Sequence, residues 1–381
     1  MKALIDAHML GADETGNETY IRGLLQGLLE IGVPQVVAVR ESGLRALAPT
    51  SDPGEAGVTA RDADVPAHDV RLLRRGSDVA RLLIELPELA RNCGAALLHC
   101  TYVAPPRSPV PTVVTVHDVS FVRFPEAFTL RDRALLGTAV PYSARRARAV
   151  ITPSEHARRE VVELLGIPEQ RVHVTPEASG PEFRPVAPAE RAEALRRCGV
   201  DGPFVLALGN LQPRKNLRRL LDAWRRLREA DLLEGHRLVL AGGAHGKREP
   251  VARIVAEAGL GDSVLFPGYV PHADLPALYS GATAFVYPSI YEGFGLPVLE
   301  AMACGAPVAC SNAASLPEVA GDAALLFDPL DSDAIAASLG ALLADEGLRA
   351  ALVARGCSRA AGFSWAACAR RTLAAYESAL A

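Results

Sequence analysis

Short runs of β-branched and other apolar residues alternate with stretches of helical periodicity along most of the chain. Alternation of this kind is typical of parallel sheets built from βαβ units. It restarts after a proline-rich segment, so we predict an α/β fold with two doubly wound, Rossmann-like domains facing a cleft. The predicted strands are KALIDA, QVVAVR, ALLHC, TVVTVHD, AVITPS and VHVTP, then FVLALGN, RLVLAGG, SVLFPGY, TAFVYPS, PVACS and ALLFD.

The length of 381 residues also indicates two domains, since a domain usually has roughly 100 to 200 residues. Prolines between 181 and 188 suit a stiff linker. We therefore place an N-terminal domain at 1–184 and a second at 185–362. Residues 363–381 read as an amphipathic helix that returns to pack on the first domain.

A composition of 49% hydrophobic and 22% charged residues is that of a soluble globular protein. No apolar run approaches the roughly 18 residues that span a bilayer, and the first residues do not resemble a signal peptide, so we expect a cytoplasmic protein. The odd number of cysteines, seven, argues against a disulfide framework. A net charge of −4 gives no sign of nucleic-acid binding.

Positive charge is distributed unevenly. Only three of the 40 basic residues are lysines, Lys2, Lys215 and Lys247, so each lysine is notable. The segment 131–159 is dense in arginine, at 131, 133, 145, 146, 148, 158 and 159. This segment is either a solvated helix face or a surface for an anionic membrane or substrate.

Two candidate sites follow strands of the first domain, where ligands of open α/β sheets bind. A loop with Gly11 and Gly16 precedes a helix predicted from about Glu18, and it suits either an anion or a simple turn. His117 and Asp118 follow TVVTVHD. There the imidazole can share a hydrogen bond with a substrate hydroxyl while Asp118 orients it, and a structural His-Asp pair is the alternative.

Two more candidate sites follow strands of the second domain. After FVLALGN, Arg214 and Lys215 stand before a helix whose predicted cap is Asn216. Two cations beside a helix N-terminus favour a phosphate, which arginine binds through two donors and lysine as a point charge. Surface solvation is the alternative. After SVLFPGY, the backbone of Tyr269 and Val270 either contacts a nucleobase edge or forms an ordinary loop.

The fifth site follows TAFVYPS, where two glutamates flank a glycine turn. The helix predicted from Pro297 to Cys304 is apolar on every side except at Glu300, so it should be buried. A buried carboxylate costs several kcal/mol without a partner, and the helix dipole offsets only about 0.3 to 1 kcal/mol. We therefore expect a ligand hydroxyl at Glu300, with Glu292 facing the same pocket.

Together these residues resemble the retaining glycosyltransferases of family 4, which have the GT-B fold. The most specific element is the pair Glu292 and Glu300 around GFGLPVL. Supporting motifs cover nearly the whole chain. Within the family, the overall sequence pattern is similar to that of bacterial mannosyltransferases that extend surface polysaccharides. The supporting motifs are VHD at 116–118, TPSEHAR at 152–158, PRKN at 213–216 and LPEVAGDAALLFDP at 316–329.

The resemblance implies retaining transfer of a mannose- or glucose-type hexose from a UDP- or GDP-sugar. The acceptor would be a glycan, a lipid-linked molecule or a small molecule in polysaccharide or glycoconjugate biosynthesis. Glu300 would hold the ribose, and Arg214 with Lys215 would hold the diphosphate. Glu292 would contact the donor sugar and the departing phosphate, and His117 would contact the donor sugar. The other implied donor-binding positions are Gly16, Tyr269, Val270, Gly293, Phe294, Gly295 and Leu296.

The chain departs from the family pattern at three places. The first loop commonly reads Gly-x-Gly-Arg-Tyr, whereas residues 16–20 have Glu18 for the second glycine and Thr19 for the arginine. Asn210 stands where many members have arginine. Residues 177–179 read Glu-Ala-Ser in place of the usual Asn-Gly. These departures put the contacts of the first loop in question and give Arg214 and Lys215 more of the diphosphate charge.

We expect no metal and no other cofactor, because these two cations and a helix N-terminus can stabilise a leaving diphosphate. The D-x-D triplet at 62–64 lies in an irregular polar stretch, and that at 331–333 reads as a helix cap. Other interpretations are a GT-B epimerase, a phosphorylase that lacks a fitting pyridoxal lysine, and a non-catalytic nucleotide-sugar-binding subunit of a polysaccharide complex. Peripheral contact with an anionic inner membrane face stays open.

Overall fold

The computed structural model describes residues 1–11, 15–47, 68–209, 212–242 and 251–381. The chain forms two compact units. The first unit comprises Met1–Arg123, Phe128–Glu177 and Ser364–Ala381, and the second comprises Phe124–Ala127 and Ala178–Phe363. The main boundaries between the units therefore follow residues 177 and 363. The sequence had placed these boundaries after residues 184 and 362.

Strands and helices alternate through both units. In the described residues the strands are β1 (Ala3–Asp6), β2 (Val36–Val39), β3 (Asp69–Leu72), β4 (Leu97–Thr101), β5 (Thr112–Thr115), β6 (Ala149–Thr152), β7 (Val172–Val174), β8 (Phe204–Leu208), β9 (Arg237–Ala241), β10 (Val264–Gly268), β11 (Ala284–Tyr287), β12 (Val308–Ser311) and β13 (Ala324–Phe327). The helices are α1 (Thr15–Glu30), α2 (Glu41–Leu47), α3 (Asp78–Ala80), α4 (Leu86–Asn92), α5 (Ser120–Arg123), α6 (Leu130–Arg146), α7 (Glu155–Leu165), α8 (Pro188–Arg197), α9 (Leu217–Glu229), α10 (Val251–Glu257), α11 (Leu275–Gly281), α12 (Leu296–Ala303), α13 (Leu316–Ala320), α14 (Ser332–Ala344), α15 (Glu346–Ala361) and α16 (Trp365–Leu380).

Among the described residues, the first unit has a seven-stranded sheet in the order β3-β2-β1-β4-β5-β6-β7, and each neighbouring pair is parallel. The inner strands were predicted from their buried apolar runs. Strand β3 was missed, because this edge strand reads Asp-Val-Arg-Leu and its last three side chains are exposed. An edge strand of this kind lacks the apolar signature of a buried parallel strand.

The C-terminal helix α16 lies in the first unit, against α1 and the sheet. Gly23 and Gly27 of α1 let the two helices approach closely, since a Cβ on Gly23 would stand 2.0 Å from the Trp365 ring. Further along α16, Ala375 and Tyr376 pack on Leu97 and other buried residues of the sheet. The last helix thus completes one face of the core of the first unit.

The second unit has, in its described residues, a six-stranded sheet in the order β10-β9-β8-β11-β12-β13, again parallel throughout. Helices cover both faces, with Trp224 of α9 buried on one and Met302 of α12 on the other. Strand order reverses between β8 and β11, which are direct neighbours. In open α/β sheets this switch point opens a crevice at the carboxyl ends of the strands, where ligands bind.

Candidate functional site

The segments that leave β8 and β11 meet at the switch point of the second unit. After β8, Pro213–Lys215 form one turn of 3-10 helix that leads into α9. After β11, the Ile290 N–H donates to the Arg214 carbonyl oxygen at 2.8 Å, and the Ser289 hydroxyl lies 3.1 Å from the same oxygen. These backbone ties hold the two loops side by side, as the order of the strands requires.

The carboxylate of Glu292 lies between the two cations that sequence analysis selected. It accepts hydrogen bonds from Arg214 Nη1 at 2.8 Å, Lys215 Nζ at 2.5 Å, Ser289 Oγ at 2.6 Å and Tyr287 OH at 3.0 Å. Glu292 is buried. Burial by itself would raise its pKa, but the charges of Arg214 and Lys215 outweigh it and lower the pKa to about 2.

This cluster is charged but incompletely neutralised. Arg214 and Lys215 carry one positive charge each and Glu292 one negative charge, so the three groups together carry +1. The sequence had paired Glu292 with Glu300. The nearest charged partners of Glu292 are instead the two cations, which it holds at a fixed spacing. A half-buried cationic pair of this kind suits an anionic ligand.

Asn216 occupies the predicted cap position of α9, but its side chain does not cap the helix. Its backbone is left-handed, with φ of +61°, and the side-chain amide donates to the carbonyl oxygens of Pro288 at 3.1 Å and Pro329 at 2.5 Å. Asn216 is therefore the N-cap residue, as predicted, but it makes no side-chain hydrogen bond to the helix. The amide instead ties the loop before α9 to the segments after β11 and β13.

The turn between β11 and α12 depends on glycine and serine. Gly295 has φ of +122°, and a Cβ there would stand 2.6 Å from Leu316 Cδ2. The buried Ser315 hydroxyl donates to the Phe294 carbonyl oxygen at 2.6 Å and so stabilises the turn. Helix α12 begins directly after Gly295, at Leu296, one residue before the predicted start. Gly293 and Phe294 complete this turn.

Glu300 is buried in α12, as its apolar surroundings in the sequence predicted. The Tyr279 hydroxyl, on α11, donates to its carboxylate at 2.9 Å. Burial raises the pKa of Glu300 to about 7, because this hydrogen bond and the charge of His272 only partly offset the loss of hydration. Sequence reasoning missed Tyr279, since a tyrosine on an apolar helix face looks like any other core residue.

Tyr269 and Val270 lie at the edge of the second sheet. They follow β10, which pairs with β9 and not with β8 or β11. Tyr269 is 71% exposed whereas Val270 is buried, and Gly268 before them has φ of +78°. The structure thus separates these two residues from the charged cluster by the width of two strands.

His117 lies in the first unit, directly beyond β5. Its Nδ1 is 2.9 Å from the Glu177 carboxylate, and the Tyr20 ring meets it edge-on at 4.6 Å between centroids. Asp118 was expected to orient His117, and this expectation is wrong. The Asp118 carboxylate accepts from the N–H and hydroxyl of Ser120, at 2.9 and 2.7 Å, and so fixes the start of α5.

Glu18, which departs from the family pattern, makes hydrogen bonds near the start of α1. Helix α1 begins at Thr15, earlier than predicted, so Gly16 lies in its first turn. Glu18 accepts from the Gly11 N–H at 3.0 Å and from Arg22 at 2.7 Å. A Cβ on Gly16 would meet nothing within 4 Å, so internal packing does not require glycine there.

Some sequence predictions lie outside the described residues: Asn210, Lys247 and the triplet at 62–64. In the other triplet, Asp331 accepts from the N–H groups of Asp333 and Ala334, so the predicted helix cap of α14 is confirmed. Within the part of the chain that the structure describes, no group of three or more His, Cys, Asp or Glu is arranged to hold a metal ion. In the same part, none of the helices is long and apolar enough to cross a membrane.

Comparison with solved structures places the fold in the GT-B class. Sucrose-phosphate synthase from Thermosynechococcus elongatus aligns over 99% of this chain and 98% of its own, with a TM-score of 0.74 and 24% identity. Anabaena HepE, solved in complex with UDP and glucose, aligns over 99% of this chain and 100% of its own, with a TM-score of 0.73 and 18% identity. Both cover the two sheets described above.

Sequence comparison defines the family. Residues 15–182 match Glycosyltransferase Family 4, and residues 196–359 match Glycosyl transferases group 1. The O-antigen chain mannosyltransferase B of Escherichia coli is 39% identical over 274 residues, which are 70% of each chain. The serotype-specific mannosyltransferase WbdA of Escherichia coli is 38% identical over 58% of this chain but only 28% of its own length. The chain belongs to glycosyltransferase family 4, as the motifs indicated.

Proposed function

We propose that this protein transfers a mannose- or glucose-type hexose from a UDP- or GDP-sugar to an acceptor, with retention at the anomeric carbon and without a metal ion. The observation that carries the proposal is the Arg214–Lys215–Glu292 cluster at the switch point of the second unit, in which Glu292 is buried and the two cations are half-buried. A departing nucleoside diphosphate gains negative charge in the transition state. Two fixed cations beside the N-terminus of α12 are suited to stabilise it.

The environment of Glu292 supports a retaining route in which the leaving phosphate assists the attack. A carboxylate whose pKa is about 2, and which accepts four hydrogen bonds, is a weak base and a weak nucleophile. We assign it instead to holding Arg214 and Lys215 against the diphosphate and donor sugar. Glu300 would accept the ribose hydroxyls, and the backbone of Tyr269 and Val270 would contact the base.

Similarity to O-antigen and serotype-specific mannosyltransferases favours mannose as the sugar and a growing cell-surface glycan as the acceptor. The complex of HepE with UDP supports a nucleotide donor. The acceptor would bind to the first unit, where His117 would contact the donor sugar. The protein would act in the cytoplasm.

Helix α6 supports peripheral contact with an anionic membrane. Its first two turns are exposed almost all round and place Leu130, 84% exposed, and Leu135, 57% exposed, beside Arg131 and Arg133. Exposed leucines among arginines are typical of interfacial helices. Co-sedimentation with vesicles of phosphatidylcholine, with and without phosphatidylglycerol, should show binding that requires the anionic lipid and that Leu130→Asp abolishes. Equal binding to both vesicles would contradict this part of the proposal.

The main test is release of nucleoside diphosphate from a panel of UDP-, GDP- and ADP-sugars, with oligosaccharide acceptors and anomer analysis by NMR. We expect one donor to be used with retention. Lys215→Ala should weaken nucleotide binding and reduce its salt dependence, whereas Arg355→Ala, which removes an exposed cation of the same unit, should not. His117→Ala should bind nucleotide but lose turnover. Binding without release for any acceptor would favour the non-catalytic subunit.

A further inference from the structure

The two ring nitrogens of His117 have different surroundings. Nδ1 is bonded to the Glu177 carboxylate at 2.9 Å. Nε2 is buried and has no hydrogen-bond partner among the residues that the structure describes. A buried polar atom without a partner costs free energy, and in native proteins it usually marks a ligand, a water or a functional group. Nε2 is therefore the ring nitrogen whose hydrogen-bonding capacity the described residues leave unused.

The carboxylate decides which nitrogen carries the proton. An ionised carboxylate only accepts hydrogen bonds, so Nδ1 must donate to Glu177 and must carry the hydrogen. A neutral imidazole has one N–H, and Nε2 is then left with its lone pair. This nitrogen can accept a hydrogen bond from a hydroxyl, but it cannot donate one to a phosphate or carbonyl oxygen.

We propose that Glu177 is a positioning residue that fixes His117 as the Nδ1–H tautomer, so that Nε2 is left as a hydrogen-bond acceptor for a substrate hydroxyl. The proposal rests on the proposed function for the identity of that hydroxyl. The tautomer itself depends only on the pair. Glu177 lies just beyond β7, where the chain departs from the family's Asn-Gly.

The His117–Glu177 hydrogen bond is shielded from solvent and held in place by its neighbours. Glu177 is 4% exposed, and the His117 side chain is 13% exposed. The edge of the Tyr20 ring blocks rotation of the imidazole on one side. Tyr20 is itself held, because its hydroxyl lies 2.9 Å from Thr115 Oγ1 in β5. Asp118 cannot substitute for Glu177, because its carboxylate is bonded to Ser120.

The first test reads the tautomer directly. Two-bond ¹H–¹⁵N spectra of the full-length protein, labelled at histidine nitrogen, distinguish a protonated from an unprotonated ring nitrogen at pH 8. The signals of His117 are assigned by their loss in His117→Gln. We expect a protonated Nδ1 and an unprotonated Nε2 in the wild type, and a mixture of both tautomers in Glu177→Gln. A wild-type spectrum with Nε2 protonated, alone or together with Nδ1, overturns the proposal.

The second test is kinetic. Glu177→Gln should lower kcat by about 10- to 100-fold while the Kd of the nucleotide stays within about twofold, because the second unit binds it. Glu177→Asp keeps the carboxylate and should retain more activity than Glu177→Gln. The matched control is Glu163→Gln, an exposed glutamate of the same unit, which should leave kcat unchanged. Full activity of Glu177→Gln overturns the positioning role.

The two tests also separate this proposal from the proposed function. The spectrum is recorded without substrate, so it judges the tautomer even if the donor proves not to be a nucleotide-hexose. Conversely, hexose transfer with full activity in Glu177→Gln would uphold the proposed function and refute the role of Glu177.

Discussion

Glu300 gives the most quantitative prediction, because burial destabilises its ionised form whereas the proposed contact with the nucleotide requires that form. The carboxylate is buried in α12 with one hydrogen bond from Tyr279, and burial raises its pKa to about 7 from the usual 4.5. Glu300→Gln keeps the shape and an oxygen acceptor for Tyr279 but removes the charge. We expect this variant to be more stable than the wild type at high pH and to bind nucleotide less well.

The sign and size follow from proton linkage. Between pH 4.5 and about 7 the folded state holds the Glu300 proton and the unfolded chain does not, so the free energy of unfolding falls as pH rises through this window. A shift from 4.5 to about 7 corresponds to about 3 kcal/mol at about 1.4 kcal/mol per unit. The advantage of Glu300→Gln over wild type should therefore grow by about 3 kcal/mol from pH 4.5 to 8.

The assay can be confined to the second unit. The chain has two tryptophans, Trp224 in the second unit and Trp365 in the first, so a Trp365→Phe background leaves Trp224 as the reporter of urea unfolding. The matched control is Glu346→Gln, an exposed glutamate of the second unit, which should show no such growth with pH. A difference between Glu300→Gln and wild type that is equal at pH 4.5 and 8 would refute the reasoning.

The same carboxylate should link nucleotide binding to pH. In the proposed ribose role, the hydroxyls would donate to the ionised form of Glu300, so nucleotide affinity in the wild type should rise as pH increases through about 7 and should level off above it. Titration calorimetry in buffers of different ionisation enthalpy should detect proton release near pH 7. Glu300→Gln should release no proton at this step, and release that persists in the variant would remove Glu300 from the ribose role.

Three further predictions concern stability. The pKa of Glu292 is lowered to about 2 from 4.5, so the ionised carboxylate stabilises the fold above pH 4.5 and loses this effect as pH falls toward 2. Glu292→Gln should therefore unfold more easily than the wild type at pH 7, and its circular dichroism should depend less steeply on pH in the acid range. Gly295→Ala should lower both the melting temperature and the nucleotide affinity, because the φ of +122° and the close approach of Leu316 both oppose a side chain at this position. Unchanged values would show that the turn adapts to the added methyl group. Trp365→Ala should lower the free energy of unfolding of the first unit, measured in urea, by about 3 to 5 kcal/mol, since Gly23 packs on the indole ring. A loss of less than about 1 kcal/mol would mean that α16 repacks.

Strands that read as apolar runs were the most predictable part of the fold. All six strands that the described residues form in the second sheet were identified, including the half-buried edge strands β10 and β13, because each reads as a short apolar run. Strand β3 escaped detection because solvent, not protein, covers most of its side chains. The buried state of Glu300 was predicted by the same logic, since a lone charge in an apolar helix stands out. Its partner Tyr279 was not, because it lies 21 residues away and resembles a core residue.

The residue types of the charged site were visible in the sequence, whereas their pairing was not. Arg214, Lys215 and Glu292 could each be named, because rare lysine and glycine-flanked glutamate follow apolar strands. The pairing of Glu292 with these two cations depends on β8 lying beside β11, although 78 residues separate Arg214 from Glu292. The neighbour of His117 is a similar case. Proximity in sequence favoured Asp118, and the fold selected Glu177 from 60 residues away.

By itself, then, the sequence determined the class of fold, the family and the ends of strands at which chemistry is placed, because burial and turn formation leave a local pattern of residue types. Only the tertiary structure decided which charged and polar groups touch, since strand order brings together loops that are distant along the chain. Those contacts in turn decide the protonation of Glu292 and Glu300, because a pKa depends on the burial and charges around a group and not on its neighbours in sequence.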